Sequence, residues 1–506
     1  MGVRAVVFVL GLLLALAHGA AFFNISHLAR PAFLGSSSGK LRSAEQLSTY
    51  CVVVGRGWSW HEIAAFILSL ETGPSGAGAG LQCGVVSVTQ TDTSTVAAIE
   101  CIGPGATTLA NVTSLVTSSS SSSPVLVAAN TMVSVPPPGA ASVTSTPPPP
   151  PPAASTAGVQ TLAPANLDRI DARTLPLDGL YHYNGQGEGQ TLYVIDTGIN
   201  PTHVEFAPNG RAVALANTID GSGPLDCHGH GSHVASIAAG FTFGVAKAAS
   251  IRGIKALDCS GMGTVYSVAS ALAIVQSECT SAPDSPFVIN LSLNGGASSV
   301  LDNALASILA QCHACAAVAA GNSYGADACN YSPSRVSAAL TVGSLTAGDA
   351  TSDFSNIGSC VDLYAPGENV IGASYQSPTA TVVFSGTSQA TPIVAGTCLV
   401  VLGQAVPAWQ PGNVNAGAVV MAAVKQQATA LSGGRLLDFA YWDASALLAP
   451  HGPVPPPPPP AGPVPPPAPP VDNTGGVTPE VGGGAGGQAP AMLLVLFCVA
   501  ARQLFS

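Results

Sequence analysis

Two kinds of apolar pattern alternate along the central part of the chain, between about residues 165 and 448. Short, nearly continuous apolar runs predict buried strands at 191–195, 250–256, 287–291, 314–319 and 339–342. Between these runs, apolar residues recur at helical spacing over 234–239, 267–275, 300–312 and 388–402. Strands that are apolar on both faces and are separated by helices predict a mostly parallel sheet with helices on both faces, a three-layer α/β fold.

The N-terminal part of the chain has different patterns. Residues 1–20 combine Arg4, an apolar run over 6–16 and small residues at its end, which is typical of a secretory signal peptide. Residues 45–115 predict a small α/β unit, with strands at 50–54 and 84–88 and a helix at 62–70. Residues 116–160 contain serine and proline tracts, which predict a linker without a packed core.

The C-terminal part is also low in complexity. Proline and glycine dominate residues 449–490, which predicts an extended, semi-rigid stalk. The apolar tail at 491–506 is shorter than the roughly 20 residues that span a bilayer. A polar spacer followed by a short apolar tail resembles the signal for a glycolipid (GPI) anchor. We therefore expect a secreted protein with an association to a membrane anchor or cell wall.

Composition narrows the class of protein further. Only 8% of the residues are charged and the formal net charge is −11, so no basic stripe indicates nucleic-acid binding. Twelve cysteines in a secreted chain predict disulfides, and eight of them lie in the central region. Cys312 and Cys315, which flank His313, also allow an interpretation as half of a zinc site, but no second pair at matching spacing follows.

Four polar residues stand at the ends of predicted elements. Asp196 follows a buried strand, His230 lies between glycines just before a helix, Asn322 follows another strand, and Ser388 opens the last helix. The carboxyl ends of parallel strands and the helix starts that follow them share one edge of a sheet. A carboxylate, a base, a hydroxyl and an amide donor are the groups that hydrolysis by a serine nucleophile requires. Each residue alone is typical of a turn or a cap, but the combination indicates a serine hydrolase.

Longer stretches around these residues resemble one family. They are 167–171, 193–198, 226–235, 288–293, 319–322, 330–333, 353–356 and 385–396. Over about residues 165–445 the chain resembles the subtilisin-like serine proteases (subtilases, peptidase family S8), and within them the proteinase K branch. The resemblance implies that Asp196 orients His230, that His230 is the general base and acid, and that Ser388 is the nucleophile. Asn322 would donate to the oxyanion, and no cofactor is required for catalysis.

The resemblance also implies how a protein or peptide substrate binds. An extended peptide would add a strand between the segments 260–263 and 292–295 and would face Gly321. The residues expected to contact it are Ser260, Gly261, Gly263, Ser292, Leu293, Asn294, Gly295 and Gly321. Related enzymes have a broad or apolar specificity, but Asn294 stands where the family has glycine, and its side chain is expected to narrow the primary pocket.

The same resemblance implies two disulfides and a metal site. It implies bridges between Cys227 and Cys259 and between Cys329 and Cys360, and it leaves the other central cysteines unassigned. Asp362, with the carbonyls of residues 337 and 339, corresponds to a structural calcium site in the family, although it is equally typical of a cap or a surface position.

The leading unit at 45–115 stands where the family has an inhibitory propeptide. The expected product is therefore a zymogen that is cleaved between Thr156 and Asn166, with its own propeptide as a partner. A different hypothesis is a structural or binding protein of the cell surface that retains a protease fold and presents its proline stalk. The presence of all four catalytic residue types in the sequence favours the hypothesis of an active enzyme.

Overall fold

A computed structural model gives the structure of the chain. It describes residues 47–54, 82–90, 95–102, 125–129, 131–135, 143–144, 157–172, 174–207, 210–405, 415–431 and 434–436. The predicted signal peptide, the helix at 62–70, the stalk and the apolar tail lie outside the described residues. Within the described ranges, no helix has the length and apolar character that crossing a membrane requires.

The described elements follow one another in the order of an α/β protein. The strands are β1 (Leu47–Val54), β2 (Gln82–Gln90), β3 (Thr95–Ile102), β4 (Val125–Ala129), β5 (Met132–Ser134), β6 (Val143–Thr144), β7 (Ala157–Thr161), β8 (Leu180–Asn184), β9 (Thr191–Asp196), β10 (Ala212–Asn217), β11 (Ser250–Lys255), β12 (Met262–Thr264), β13 (Phe287–Leu291), β14 (Asn294–Gly296), β15 (Ala314–Ala319), β16 (Tyr331–Ser332), β17 (Leu340–Leu345), β18 (Leu363–Pro366), β19 (Val370–Ala373), β20 (Thr381–Phe384), β21 (Thr429–Leu431) and β22 (Gly434–Leu436). The helices are α1 (Ala165–Ile170), α2 (His230–Ala239), α3 (Val265–Ser281), α4 (Ser299–Gln311), α5 (Thr387–Ala405) and α6 (Ala416–Gln427).

A large sheet forms the centre of the described part of the chain. Its described strands are ordered β10-β11-β9-β13-β15-β17-β18-β22-β21, and every pair is parallel except β22 with β21. β13 and β15 are buried along their whole length, because helices cover both faces of the sheet. The three-layer α/β fold predicted from the apolar pattern is therefore confirmed, and all five predicted strands are present.

The helices begin earlier than the apolar pattern indicates. α2 begins at His230 rather than at 234, and α5 begins at Thr387. Gly229 precedes α2 with a φ of 109°, and a Cβ there would lie 2.8 Å from Tyr375 Cδ1, so only glycine fits. The first turns of both helices carry polar residues, which explains why apolar spacing alone does not mark them.

The segment predicted as a linker contains four strands. β4 pairs antiparallel with β1 and completes a four-stranded sheet that rests against α3 and α4. β5 joins β12 and β14, β6 pairs with β20, and β7 pairs with β8. The prediction of an unpacked linker at 116–160 is corrected here, because short runs between the tracts find pairing partners on distant parts of the chain.

Four disulfides join the eight central cysteines. Two of them connect Cys227 with Cys259 and Cys329 with Cys360, which is the pairing that the resemblance implies. The other two connect Cys279 with Cys312 and Cys315 with Cys398. Because Cys312 and Cys315 belong to different bridges, the interpretation of these two residues as half of a zinc site is wrong.

Candidate active site

Asp196 and His230 form a buried pair at the carboxyl edge of the sheet. Asp196 is the last residue of β9, and His230 is the first residue of α2. The His230 Nδ1 atom lies 2.9 Å and 3.0 Å from the two Asp196 carboxylate oxygens. Asp196 is fully buried and His230 is 2% exposed. This geometry places the Nδ1 proton toward Asp196 and leaves Nε2 as the ring nitrogen able to accept a proton.

Asp226, which the sequence reasoning missed, organises the loop that carries His230. One of its carboxylate oxygens accepts hydrogen bonds from the Thr197 hydroxyl at 2.9 Å and from Gly229 N at 2.8 Å. The other accepts from the backbone N–H and hydroxyl of Ser232, at 2.9 Å and 2.7 Å. Asp226 thereby ties the end of β9 to the start of α2. An aspartate three residues before Gly229 is a typical capping pattern and is the signal that could have identified it.

Ser388 lies at the same edge and is the second residue of α5. Its hydroxyl donates a hydrogen bond to the Ser292 carbonyl at 2.9 Å, and the Ser292 hydroxyl donates to the Ser388 carbonyl at 2.9 Å. Ser292 directly follows β13, the strand that pairs with β9. These contacts fix the start of α5 against the sheet next to the strand that carries Asp196.

The Ser388 hydroxyl is not hydrogen-bonded to His230 in this structure. His230 Nε2 is buried, and no described residue provides it with a hydrogen-bond partner. The sequence predicts that all three side chains meet, whereas the structure assembles Asp196 with His230 and directs Ser388 Oγ toward Ser292. Catalytic hydrogen bonds are often long or incomplete until a substrate is bound.

Asn322 is held with its amide oxygen engaged. Its Oδ1 accepts hydrogen bonds from the backbone N–H of Thr387 at 2.9 Å and from the Thr387 hydroxyl at 2.7 Å. No described residue accepts a hydrogen bond from Asn322 Nδ2. The backbone N–H of Ser388 belongs to the first turn of α5, where amides lack a partner within the helix. Two donors are therefore available beside the Ser388 hydroxyl.

A cavity of about 170 Å³ opens beside Ser388 and Asn322. The described residues that line it are Ser134, Leu293, Asn294, Ala319, Gly321, Asn322, Ser323, Thr387 and Ser388. None of these side chains is charged. Leu293, Asn294 and Gly321 were predicted to contact substrate, and the structure places all three in this wall.

The strand β5 fills the groove that leads to this cavity. It lies between β12 and β14 and pairs antiparallel with both, with Val133 opposite Gly263 and Gly295. Val135 N donates to the Gly261 carbonyl at 3.1 Å. The Val133 side chain is 1% exposed, whereas Met132 on the other face is 53% exposed. A segment of the chain itself therefore occupies the position that was predicted for an extended peptide substrate.

Ser260 does not take part in this pairing with β5, and its contact with substrate stays a prediction. Its backbone N–H and its hydroxyl both donate to Asp258 Oδ1, at 2.8 Å and 2.6 Å. The turn that Asp258 closes leaves Ser260 exposed, and the contacts with β5 begin at Gly261. Aspartate-centred turns of this kind compete with strand pairing for backbone groups.

Two further histidines near His230 are neutral. Burial, and next the proximity of His230, lower the pKa of His233 to about 3. Burial is also the largest cause of the lowered pKa of His228, followed by His230. Neither ring therefore adds a positive charge near neutral pH, and neither competes with His230 for Asp196.

The predicted calcium site at Asp362 is occupied by protein groups. Asp362 Oδ1 lies 2.6 Å from the Lys425 ammonium, and Oδ2 accepts a hydrogen bond from Thr341 N at 2.9 Å. A cation at this carboxylate would face the Lys425 charge, so these residues do not fit a calcium ion. Elsewhere in the described part of the chain, no group of three or more histidine, cysteine, aspartate or glutamate residues could hold a metal.

Comparisons with known proteins show the family to which this chain is similar. A family model described as "Subtilase family" matches residues 187–441. The chain is 46% identical over 257 residues to an extracellular serine proteinase of Thermus sp. (strain Rt41A), covering 51% of this chain and 60% of that protein. It is 43% identical over 301 residues to alkaline serine exoprotease A of Vibrio alginolyticus, covering 59% of this chain and 54% of that protein. The chain thus spans less than two thirds of the length of these curated relatives.

One solved structure is also similar to this chain. It is the crystal structure of a cold-adapted subtilisin-like serine proteinase, with 39% sequence identity and a TM-score of 0.48. The similarity covers 55% of this chain and 99% of the solved chain.

Proposed function

Because the chain belongs to the subtilase family, we propose that it is a secreted serine endopeptidase, made as a zymogen, that hydrolyses peptide bonds through Asp196, His230 and Ser388. The observation that carries this proposal is the buried pair of Asp196 with His230 Nδ1, which leaves Nε2 without a described partner at the edge where Ser388 stands. The names of the relatives, an extracellular proteinase among them, support both the activity and the secretion.

The reaction begins when the Ser388 hydroxyl turns from the Ser292 carbonyl to His230 Nε2. His230 then removes the hydroxyl proton as Ser388 Oγ attacks the substrate carbonyl, and Asp196 stabilises the imidazolium through Nδ1–H. Asn322 Nδ2 and Ser388 N–H donate to the oxyanion that forms. The protonated His230 next gives its proton to the leaving amine, and the acyl-enzyme remains. Water, activated by the same histidine, releases the acid.

Labelling with a fluorophosphonate tests this function directly. The reagent forms a covalent bond with a serine hydroxyl that an adjacent base activates. We expect the processed, secreted protein to be labelled at Ser388 and to cleave peptide substrates. A processed protein that is neither labelled nor active would refute the proposal, and would favour a structural protein of the cell surface that retains the fold.

Removal of the proposed oxyanion donor is expected to slow turnover. In Asn322→Ala, kcat should fall by about 10²–10³-fold with a small change in KM, because the amide interacts with charge that exists only in the transition state. Steady-state kinetics on one peptide substrate provides the measurement. A kcat within threefold of the wild-type value would show that Asn322 is not an oxyanion donor.

The strand β5 precedes the expected cleavage site between Thr156 and Asn166, and it supports the proposal that the chain before this site keeps the precursor latent. Val133 is buried in the groove between Gly263 and Gly295, so a charge at this position would be desolvated without a partner. We expect Val133→Asp to raise the rate of fluorophosphonate labelling of the unprocessed chain by at least about tenfold.

Met132→Asp is the matched control for this experiment. It introduces the same charge on the exposed face of β5, where 53% of the side chain is accessible. Labelling of this variant should stay at the wild-type rate. If both variants remain as latent as the wild type, β5 does not provide the inhibition.

A further inference from the structure

The side chain of Asn294 projects into the wall of the cavity beside Ser388. Asn294 begins β14, pairs with Ser134 of β5 through its backbone, and lines the cavity together with Leu293. Its Nδ2 atom is buried, and no described residue accepts a hydrogen bond from it. A buried amide donor without an acceptor is costly, because it has lost its hydrogen bonds to water without replacement. The cavity therefore contains a polar group that a bound side chain can satisfy.

The opposite wall holds this amide in place. Gly321 has a φ of 104°, and a Cβ at this residue would lie 2.1 Å from Asn294 Nδ2. The amide consequently lies directly against the Gly321 backbone. Asn356 Nδ2 would lie 2.5 Å from the same Cβ, and its hydrogen bond to the Ala320 carbonyl fixes the loop from behind. The Asn294 side chain is thus confined against the Gly321 backbone at the edge of the cavity, which Ser134 of β5 also lines.

The direction of β5 shows which substrate residue enters this space. A peptide that follows the path of β5 pairs with Gly263 and Gly295, passes Asn294 at the position of Ser134, and continues toward Ser388. The side chain next to the attacked carbonyl then has the cavity in front of it. This argument rests on the function proposed above, because it assigns Ser388 as the nucleophile.

We propose that Asn294 makes the enzyme selective for a neutral side chain that accepts a hydrogen bond, glutamine or asparagine, immediately before the scissile bond. The carbonyl oxygen of such a side chain accepts the hydrogen bond that Asn294 Nδ2 offers. A leucine or phenylalanine side chain leaves this donor unpaired. A pocket that offers a hydrogen bond discriminates between such side chains more strongly than a difference in their size does. A substrate carboxylate is disfavoured, because it loses its hydration in a cavity whose lining residues carry no positive charge.

The test compares paired substrates in the secreted, processed full-length protein. Two fluorogenic peptides differ only in glutamine or leucine before the cleaved bond, and kcat/KM is measured for each. We expect the wild type to prefer glutamine and Asn294→Asp to lose this preference by about tenfold or more, because the substitution keeps the size and removes the donor. Asn294→Gly opens the pocket and should shift the ratio further toward leucine.

The ratio of the two substrates within one preparation is independent of the amount of folded enzyme. Asn303→Asp is the matched control, because Asn303 is exposed on α4, and it should leave the ratio unchanged. A wild type that prefers leucine, or an unchanged ratio in Asn294→Asp, overturns the inference while the proteolytic function stands. A processed wild type that cleaves neither peptide and is not labelled at Ser388 instead overturns the proposed function.

Discussion

Replacing Ser388 by alanine is expected to lower kcat by about 10⁶-fold on any peptide substrate. In the proposed mechanism this hydroxyl attacks the substrate, and no neighbouring side chain is placed to replace it. The Ser292 hydroxyl is engaged with the Ser388 carbonyl, and the Thr387 hydroxyl donates to Asn322. The measurement is single-turnover hydrolysis with the processed variant, together with the loss of fluorophosphonate labelling.

Ser385→Ala is the matched control for this substitution. Ser385 lies in the same loop, and its hydroxyl accepts a hydrogen bond from Asn369 N at 2.9 Å without contacting the pair of Asp196 and His230. Its activity should remain within a few-fold of the wild-type value. If Ser388→Ala retained more than about one hundredth of the activity, another residue would have to be the nucleophile.

Asp196→Asn should reduce kcat by about 10⁴-fold. The amide has nearly the same shape as the carboxylate, but its NH₂ group can donate to His230 Nδ1 and so favour the tautomer in which Nε2 carries the proton. That tautomer cannot accept the proton of Ser388. Because Asp196 is fully buried and its Oδ1 also accepts from Thr197 N at 2.7 Å, water has no access to correct the arrangement.

The pH dependence of kcat/KM in Asp196→Asn provides a second readout. At alkaline pH, hydroxide can replace His230 as the base, so kcat/KM of Asp196→Asn should partly recover. A preparation in which part of the protein is merely misfolded would keep the pH profile of the wild type. Asp353→Asn, at an exposed position, is the control that carries the same chemical change. A loss of less than tenfold in Asp196→Asn would indicate that the carboxylate does not orient His230.

The apolar pattern is sufficient to predict the sheet, because a strand that is buried on both faces must be apolar along its whole length. β9, β13 and β15 read as continuous apolar runs, and these strands position Asp196, Ser292 and Asn322 at one edge. The catalytic residue types were recognisable because they follow these strands or open the helices. A pattern of this kind carries no information about rotamers, so the direction of the Ser388 hydroxyl was not predictable.

Contacts between distant segments explain what the sequence did not predict. β5 is three residues long and follows a serine tract, and it is a strand only because β12 and β14 offer backbone groups on both sides. Asp226 resembles an ordinary turn residue until the structure brings Thr197 and Ser232 to its two oxygens. The Lys425 ammonium beside Asp362 depends on the packing of α6, 63 residues further along the chain.

The bridge between Cys315 and Cys398 links the two halves of the catalytic edge covalently. Cys315 belongs to β15, the strand that leads to Asn322, and Cys398 belongs to α5, the helix that begins with Thr387 and Ser388. The ring that it closes includes β17 to β20, so local opening within that ring leaves the chain segments before Asn322 and after Ser388 joined. For a protein that is secreted, as proposed above, such a tether would help Asn322 and Ser388 to return to the same relative position after local opening.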